Sequence, residues 1–178
     1  SSLTFYHRLI KNWILWSPVE NSFIWSPSNL TKVRSYGLEI NHSLTFNSIN
    51  GCHKLKGTLN LGRSENLVDI QTPNYKAGQQ LLYSPKMTFN LQWLSEFKNF
   101  SFILNGHYTG EVMAVNQENL QDYFLLSVQL NKALVINNFK LDGFLKFENI
   151  LNHSYFIIEN RPMPVTHFLL GAKFNINY

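Results

Sequence analysis

The chain has little charge and almost no cysteine for its 178 residues. Charged residues make up 15% of it, against about 25% in a typical soluble protein, whereas aromatic residues reach 15%. Cys52 is the only cysteine, which excludes an intrachain disulfide and a thiolate-bound metal cluster. No run of about 18 apolar residues occurs, which excludes a transmembrane helix. Together these absences indicate β-structure that faces an apolar environment.

Motifs of catalysis and of nucleic-acid binding are also missing. There is no Gly-x-Ser-x-Gly element, no paired-carboxylate motif and no glycine-rich phosphate loop, so we expect neither enzyme activity nor a cofactor. The net charge of +4 comes from scattered Lys and Arg, which predicts no nucleic-acid surface. The six histidines lack metal-site spacing, and we interpret them as solvated residues rather than ligands of haem or an iron complex. They are His7, His42, His53, His107, His153 and His167.

The C-terminal segment has the clearest pattern. From Phe168 to Tyr178, apolar and mostly polar residues alternate with a period of two, which predicts a strand. Ten steps of about 3.3 Å, tilted by about 40°, rise roughly 25 Å, the height of the apolar band of an outer-membrane barrel. An alternating strand that ends on an aromatic residue is typical of the last strand of such a barrel. We predict that Phe174, Ile176 and Tyr178 face lipid and form the signal read by the barrel-assembly machinery.

Seven earlier segments also read as strands. Short turns follow the second, fourth and sixth strands, and longer loops follow the others, as in barrels with short periplasmic turns and longer extracellular loops. This arrangement predicts an all-β fold: an antiparallel transmembrane β-barrel segment of about eight strands, with its C-terminus in the periplasm. The seven segments are Thr4–Trp16, Thr31–Phe46, His53–Ser64, Tyr83–Leu94, Phe100–Tyr108, Leu120–Val135 and Phe139–Asn152.

Six short motifs occur in a recognisable order along the chain. They are residues 12–18 (NWILWSP), 25–30 (WSPSNL), 33–39 (VRSYGLE), 83–88 (YSPKMT), 147–155 (FENILNHSY) and 159–164 (ENRPMP). This series resembles the C-terminal barrel part of the TonB-dependent outer-membrane receptors. The chain departs from that family after the last motif, where Val165 and Thr166 replace the usual Gly-Arg.

The resemblance implies the last part of a 22-stranded barrel in the outer membrane, plugged by an N-terminal domain and driven by TonB. It implies active uptake of a scarce, bulky nutrient of the siderophore, haem or cobalamin class. Residues 1–178 supply barrel strands but no plug, no TonB-box segment and no signal peptide. We therefore expect a C-terminal fragment, or one chain of a barrel completed by another. The expected partners are outer-membrane lipid, the plug and remaining strands, TonB and the barrel-assembly machinery.

Two groups of residues are candidates for contact with the transported ligand or the plug. The first group is charged and lies on predicted lumen faces, where the residues contact the plug, line the path or simply form solvated pairs. The second group is aromatic, in or beside predicted long loops, and either stacks on a ligand or packs the loops. The lumen candidates are Glu39, Lys140, Asp142 and Glu148, accompanied by Lys56, Lys146 and Lys173. The ligand-loop candidates are Trp16, Phe23, Trp25 and Tyr155.

Two other readings fit eight alternating strands. One is an autonomous eight-stranded outer-membrane barrel with a structural or adhesion role, but such a barrel fills its interior with side chains. The inward positions here are mostly small and polar, as at Thr58, Asn60 and Asn90. The other is a soluble lipocalin-like barrel, which the small share of charged residues disfavours.

Overall fold

A computed structural model describes residues 1–18, 24–69, 76–115, 118–136 and 139–176. Within these ranges the structure has no helix long and apolar enough to cross a membrane. The strands are β1 (Ser2–Pro18), β2 (Trp25–Ser48), β3 (Gly51–Asn66), β4 (Met87–Phe97), β5 (Phe100–Thr109), β6 (Val112–Met113), β7 (Asn119–Leu120), β8 (Tyr123–Ile136), β9 (Phe139–Glu148), β10 (Phe156–Ile158), β11 (Arg161–Pro162) and β12 (His167–Ile176).

Eight of these strands form one antiparallel sheet in the order β1-β2-β3-β4-β5-β8-β9-β12. The remaining strands form two small hairpins, β6–β7 and β10–β11, within the loops that precede β8 and β12. In the part of the chain that the structure describes, β1 and β12 do not pair with each other. The sheet therefore has two open edges.

The largest differences from the predicted strand boundaries occur at three places. The loop predicted between the first two strands is largely strand, because Pro18 of β1 pairs with Trp25 of β2. The fourth strand begins at Met87 rather than Tyr83, whose φ of +52° is incompatible with extended backbone. The seventh strand ends at Glu148 rather than four residues later, because Asn149 has a φ of +49°.

The sheet register sorts the side chains onto two faces, since residues directly opposite in neighbouring strands share a face. One row across β3, β4, β5 and β8 consists of Leu59, Phe89, Tyr108 and Phe124, and it defines the apolar face. The next row consists of Thr58, Asn90, His107 and Leu125, and it belongs to the polar face, which is mostly hydrophilic.

The sheet is a single layer with almost no core. Among the described residues, the buried hydrophobic side chains are Val33, Leu81 and Ala114. Large side chains on the apolar face stay exposed, including Phe5 (75%) and Leu170 (78%). A monomeric soluble protein rarely leaves so large an apolar patch in water. The apolar face must therefore be covered by something other than this chain.

Candidate functional site

Cross-strand hydrogen bonds tie the polar face together. They join residues directly opposite in the register, so the side chains of neighbouring strands satisfy one another while the face stays hydrophilic. The wall they form is both polar and ordered. The bonded pairs are Ser35–Ser64 (2.9 Å), Asn41–Thr58 (2.9 Å), Asn60–Thr88 (3.0 Å), Asn90–His107, Gln92–Asn105 (2.9 Å) and Ser101–Asn131 (2.8 Å).

The charged candidates all lie on the polar face. Lys140 Nζ is 3.2 Å from Asp142 Oδ2, and His167 Nε2 is 2.9 Å from Glu148 Oε2. Glu148 also forms a close ion pair with Lys146. Glu39 lies directly opposite Thr4 and Asn60 in the register. The pairs offer a surface of mixed charge, and the role of these residues toward a plug or ligand stays a prediction.

Three rings line up on the polar face where β5 and β8 approach the longer loops. Tyr123 lies 4.6 Å from Tyr155, measured between ring centroids, and 6.4 Å from His107 on its other side. The imidazole is fixed from two directions, since Asn90 bonds Nδ1 and Thr109 Oγ1 lies 2.9 Å from Nε2. We call these three rings (His107, Tyr123 and Tyr155) the aromatic row. It presents a surface on which a planar or apolar group can stack.

A cleft of about 250 Å³ lies beside the aromatic row. Its walls come from the residues before β8 and from those between β9 and β10, including Asp122 and Tyr155. The Asp122 carboxylate accepts a hydrogen bond of 3.0 Å from the Tyr108 hydroxyl. Burial raises the pKa of the Tyr155 hydroxyl further above physiological pH, so this group is a neutral hydrogen-bond donor, as tyrosine normally is. The cleft thus combines an acceptor, a donor and aromatic surface.

Asn149 holds the segment that positions Tyr155. Its side chain is 4% exposed, and its amide nitrogen donates to the carbonyl oxygens of His153 (2.8 Å) and Pro164 (3.3 Å). The side-chain oxygen of Asn149 accepts a hydrogen bond from the His153 N–H (3.0 Å). The backbone carbonyl oxygen of Asn149 accepts one from Thr166 Oγ1 (2.7 Å). We call this set of bonds the Asn149 clamp. It joins both ends of the loop between β9 and β12.

The other ligand-loop candidates are not brought to the aromatic row. Trp16 lies within β1 opposite Pro27, in agreement with its predicted place in the first strand. Trp25, predicted in the loop that follows, is instead the first residue of β2. Both indoles are exposed, at 58% and 40%. In the sheet, β3, β4 and β5 separate this hairpin from β8. Phe23 lies outside the described residues.

Sequence reasoning placed only Tyr155 of the aromatic row among ligand candidates. His107 was interpreted as a solvated residue, and Tyr123 was not among the ligand candidates. The signal that joins them is the register, in which Tyr123 lies opposite Thr109, the hydroxyl partner of His107. Within the described ranges, no three His, Cys, Asp or Glu side chains lie close enough together to hold a metal ion.

The predicted assembly-signal residues lie at the end of β12. Phe174 is on the apolar face opposite Leu141, with 71% of its side chain exposed. The backbone of Ile176 pairs with that of Phe139. Tyr178 lies outside the described residues. Recognition by the assembly machinery stays a prediction.

Comparison with known families decides what kind of sheet this is. The model of a family described as TonB dependent receptor-like, beta-barrel matches residues 1–149. The chain belongs to this family. The resemblance to TonB-dependent receptors and the prediction of an antiparallel all-β barrel segment are therefore confirmed. TonB-dependent receptor barrels are outer-membrane proteins.

Two solved structures of TonB-dependent receptors have the same fold. The ferric-catecholate import receptor Fiu from E. coli K12, in a closed form, is 19% identical with a TM-score of 0.66 over 96% of this chain. The copper transporter OprC is 16% identical with a TM-score of 0.68 over 99% of this chain. The match covers only 24% and 28% of those chains, so this chain spans about a quarter of either receptor. A search of curated proteins found no match.

Proposed function

We propose that this chain supplies barrel strands to an outer-membrane receptor that imports a scarce, bulky nutrient of the siderophore, haem or cobalamin class. The observation that supports this most is the two-faced sheet: an exposed apolar face on one side and a hydrogen-bonded polar wall on the other, in a TonB-dependent receptor chain. A barrel built from such a sheet meets lipid outside and encloses a hydrophilic passage. Transport requires no bond to be made or broken by the barrel.

In this proposal residues 1–178 are the C-terminal barrel part. Backbone groups on the open edges of β1 and β12 are not satisfied by lipid, so further strands from the same or another chain pair with them. The plug fills the passage and contacts the polar face at the mixed-charge residues, which are Glu39, Lys140, Asp142 and Glu148. The short turns and the C-terminus face the periplasm, where TonB acts on the plug.

Ligand capture takes place at the long-loop end in the same proposal. The aromatic row and its adjoining cleft offer stacking surface, a carboxylate and a neutral hydroxyl to an arriving molecule. The exposed indoles of Trp16 and Trp25, with Phe23 between them in sequence, give a second aromatic surface at the end of the β1–β2 hairpin. Binding at these surfaces precedes rearrangement of the plug.

The test is uptake by cells that produce the full-length receptor containing this chain. We expect one class among ferric siderophores, haem and cobalamin to enter only when both the receptor and TonB are present. Tyr155→Ala should raise the KM of that uptake about tenfold, because loss of a stacked ring costs about 1 to 1.5 kcal/mol. Tyr36→Ala, which removes a ring from the apolar face instead, should leave the KM unchanged.

Two results would contradict the proposal. One is uptake of every tested nutrient that is indifferent to TonB. The other is a folded membrane barrel made of this 20.7 kDa chain alone, which would mean that β1 and β12 close on each other. The intact mass of the protein extracted from the outer membrane distinguishes that barrel from a larger receptor.

A further inference from the structure

One row of residues on the apolar face has an unusual composition. Phe100 of β5, Lys132 of β8, Gly143 of β9 and Ala172 of β12 lie directly opposite one another. The row therefore runs from an aromatic ring through a cation to two positions with almost no side chain. Large apolar residues occupy the next row toward the long loops, namely Phe102, Leu130, Leu145 and Leu170.

The small residues leave a hollow in the apolar face. It has a volume of about 540 Å³, with Leu130, Leu145 and Leu170 among its lining residues. A Cβ atom built on Gly143 would find nothing nearer than a backbone oxygen at 3.9 Å, so the space in front of this glycine is open. A shallow and mostly apolar depression of this kind suits an acyl chain. We call it the lipid hollow.

Lys132 places a positive charge at the side of the lipid hollow. Of the residues that the structure describes on the apolar face of β4, β5, β8, β9 and β12, Lys132 alone is charged. The neighbouring acids, Glu96 and Asp142, lie on the polar face by register, and the described residues form no ion pair with the Lys132 ammonium. A cation on a lipid-facing surface is costly unless it lies near headgroups or meets an anion.

The depth of Lys132 in the sheet places it near one membrane surface. Phe100, which lies directly opposite Lys132, is the first residue of β5. Ala133, which follows Lys132 in the chain, donates its N–H to the carbonyl oxygen of Asn99 in the β4–β5 turn (2.9 Å). Lys132 therefore lies level with a short turn, and Lys98 in that turn adds a second positive charge. Headgroup phosphates are found at this level, not in the middle of the bilayer.

We propose that the lipid hollow is a specific site for one phospholipid with an anionic headgroup. One acyl chain lies over Gly143 and Ala172, and the headgroup phosphate accepts hydrogen bonds from the Lys132 ammonium. The proposal rests on the membrane location given above, since it assigns lipid to the apolar face. It goes further in naming the position, the charge of the lipid and the side chain that selects it.

Native mass spectrometry of the full-length receptor in mild detergent tests the site, with phosphatidylglycerol and phosphatidylcholine added in turn. Lys132→Leu should weaken phosphatidylglycerol binding about fivefold, the effect of one basic residue at a membrane surface. It should weaken phosphatidylcholine binding less, because the choline cation offsets the phosphate charge of that lipid. Lys132→Arg should preserve the preference for phosphatidylglycerol. Gly143→Leu, which fills the hollow, should weaken binding of both lipids.

The matched control is Gly57→Leu in β3. Gly57 also lies on the apolar face with open space before it, the nearest atom being Leu91 Cδ1 at 4.0 Å from a built Cβ. This variant should bind both lipids like the wild type. The site is refuted if Lys132→Leu and Gly143→Leu bind phosphatidylglycerol as tightly as the wild type does. It is also refuted if Gly57→Leu loses as much lipid affinity as Gly143→Leu.

Folding is checked by the heat-dependent migration of each variant in detergent gels and by its recovery in the outer-membrane fraction. A wild-type receptor absent from that fraction would overturn the proposed function itself. A wild-type receptor that is inserted there, but holds phosphatidylglycerol no better than phosphatidylcholine, would overturn only the lipid site.

Discussion

Replacing Asn149 should strongly destabilise the loop between β9 and β12. Asn149 combines a left-handed backbone, with a φ of +49°, and a buried side chain that bonds to His153 and Pro164. Asn149→Ala removes all of these side-chain bonds while leaving the strands of the sheet untouched. We expect the loop between β9 and β12 to open locally without unfolding of the barrel.

The size of the effect follows from two contributions. Each lost hydrogen bond of a neutral side chain is worth about 1 kcal/mol, and the weakest of the three, to Pro164 at 3.3 Å, is worth less. Alanine in a left-handed conformation costs roughly 1 kcal/mol more than asparagine, which tolerates it. The free energy of local opening of this loop should therefore fall by about 3 kcal/mol, which corresponds to roughly a hundredfold faster amide exchange.

Hydrogen–deuterium exchange of the full-length receptor measures this directly, peptide by peptide. Asn160→Ala is a matched control, since Asn160 has a φ of +59° but is exposed, and the described residues show no hydrogen bond to its side chain. It should accelerate exchange only about fivefold, and only in the β10–β11 turn. Equal exchange in residues 150–166 of the two variants would refute the assignment of Asn149 as a clamp.

Two further variants test ion pairing and packing in the β1–β3 region. Glu65→Gln leaves Arg34 and Arg63 without the carboxylate they share. Because both arginines are nearly half exposed, we expect the free energy of unfolding to fall by only about 1 kcal/mol, measured as a lower midpoint of denaturant unfolding. An unchanged midpoint would show that the carboxylate contributes nothing. Gly37→Ala places a Cβ against the backbone carbonyl of Leu61 and 2.7 Å from the Tyr6 hydroxyl, so folding yield in detergent should fall by a few-fold. Wild-type yield would show that the backbone of β2 and β3 separates enough to admit the methyl group.

The sheet could be predicted from sequence because alternation with period two is local information. In β4 and β5 large apolar residues recur at every second position except Ser95 and Gly106, and the strands lie close to where the pattern places them. Predictions failed where single residues leave extended backbone, as Tyr83 and Asn149 do with positive φ. The alternation of apolar and polar residues does not report the sign of φ. Asparagine is enriched at positive φ and depleted in strands, but tyrosine is common in strands and gives no such signal.

The predicted loop around Pro18 and Pro27 failed for a different reason. Proline is normally excluded from the interior of a sheet because it cannot donate a ladder hydrogen bond. Here β3 begins to pair with β2 only at Val33, so Pro27 lies in a stretch of β2 with β1 as its single neighbour. Such a position is an edge, where proline is tolerated. Whether Pro27 lies at an edge depends on how far β3 extends along β2, and the residues around the proline carry no information on the length of β3.

The candidate site was less accessible from sequence than the sheet. Tyr155 was predicted as a ligand residue from its loop position, but its tilted ring contact with Tyr123 depends on the loop returning across β8. The third ring, His107, contacts Tyr123, which lies 16 residues further along the chain, because β5 pairs with β8. Contacts of this kind depend on register and loop path together, which no local pattern encodes.

The unequal lengths of β2 and β3 have a mechanical consequence. Residues 25–31 of β2 extend beyond β3, so this end of the β1–β2 hairpin is a two-stranded ribbon about 23 Å long. Such ribbons twist more readily than wider sheets. A rotation of about 10° at its base moves its tip by about 4 Å. The base of this ribbon lies near Val33 and the small buried cluster there, so a rotation at the base displaces the tip more than any other part of the hairpin.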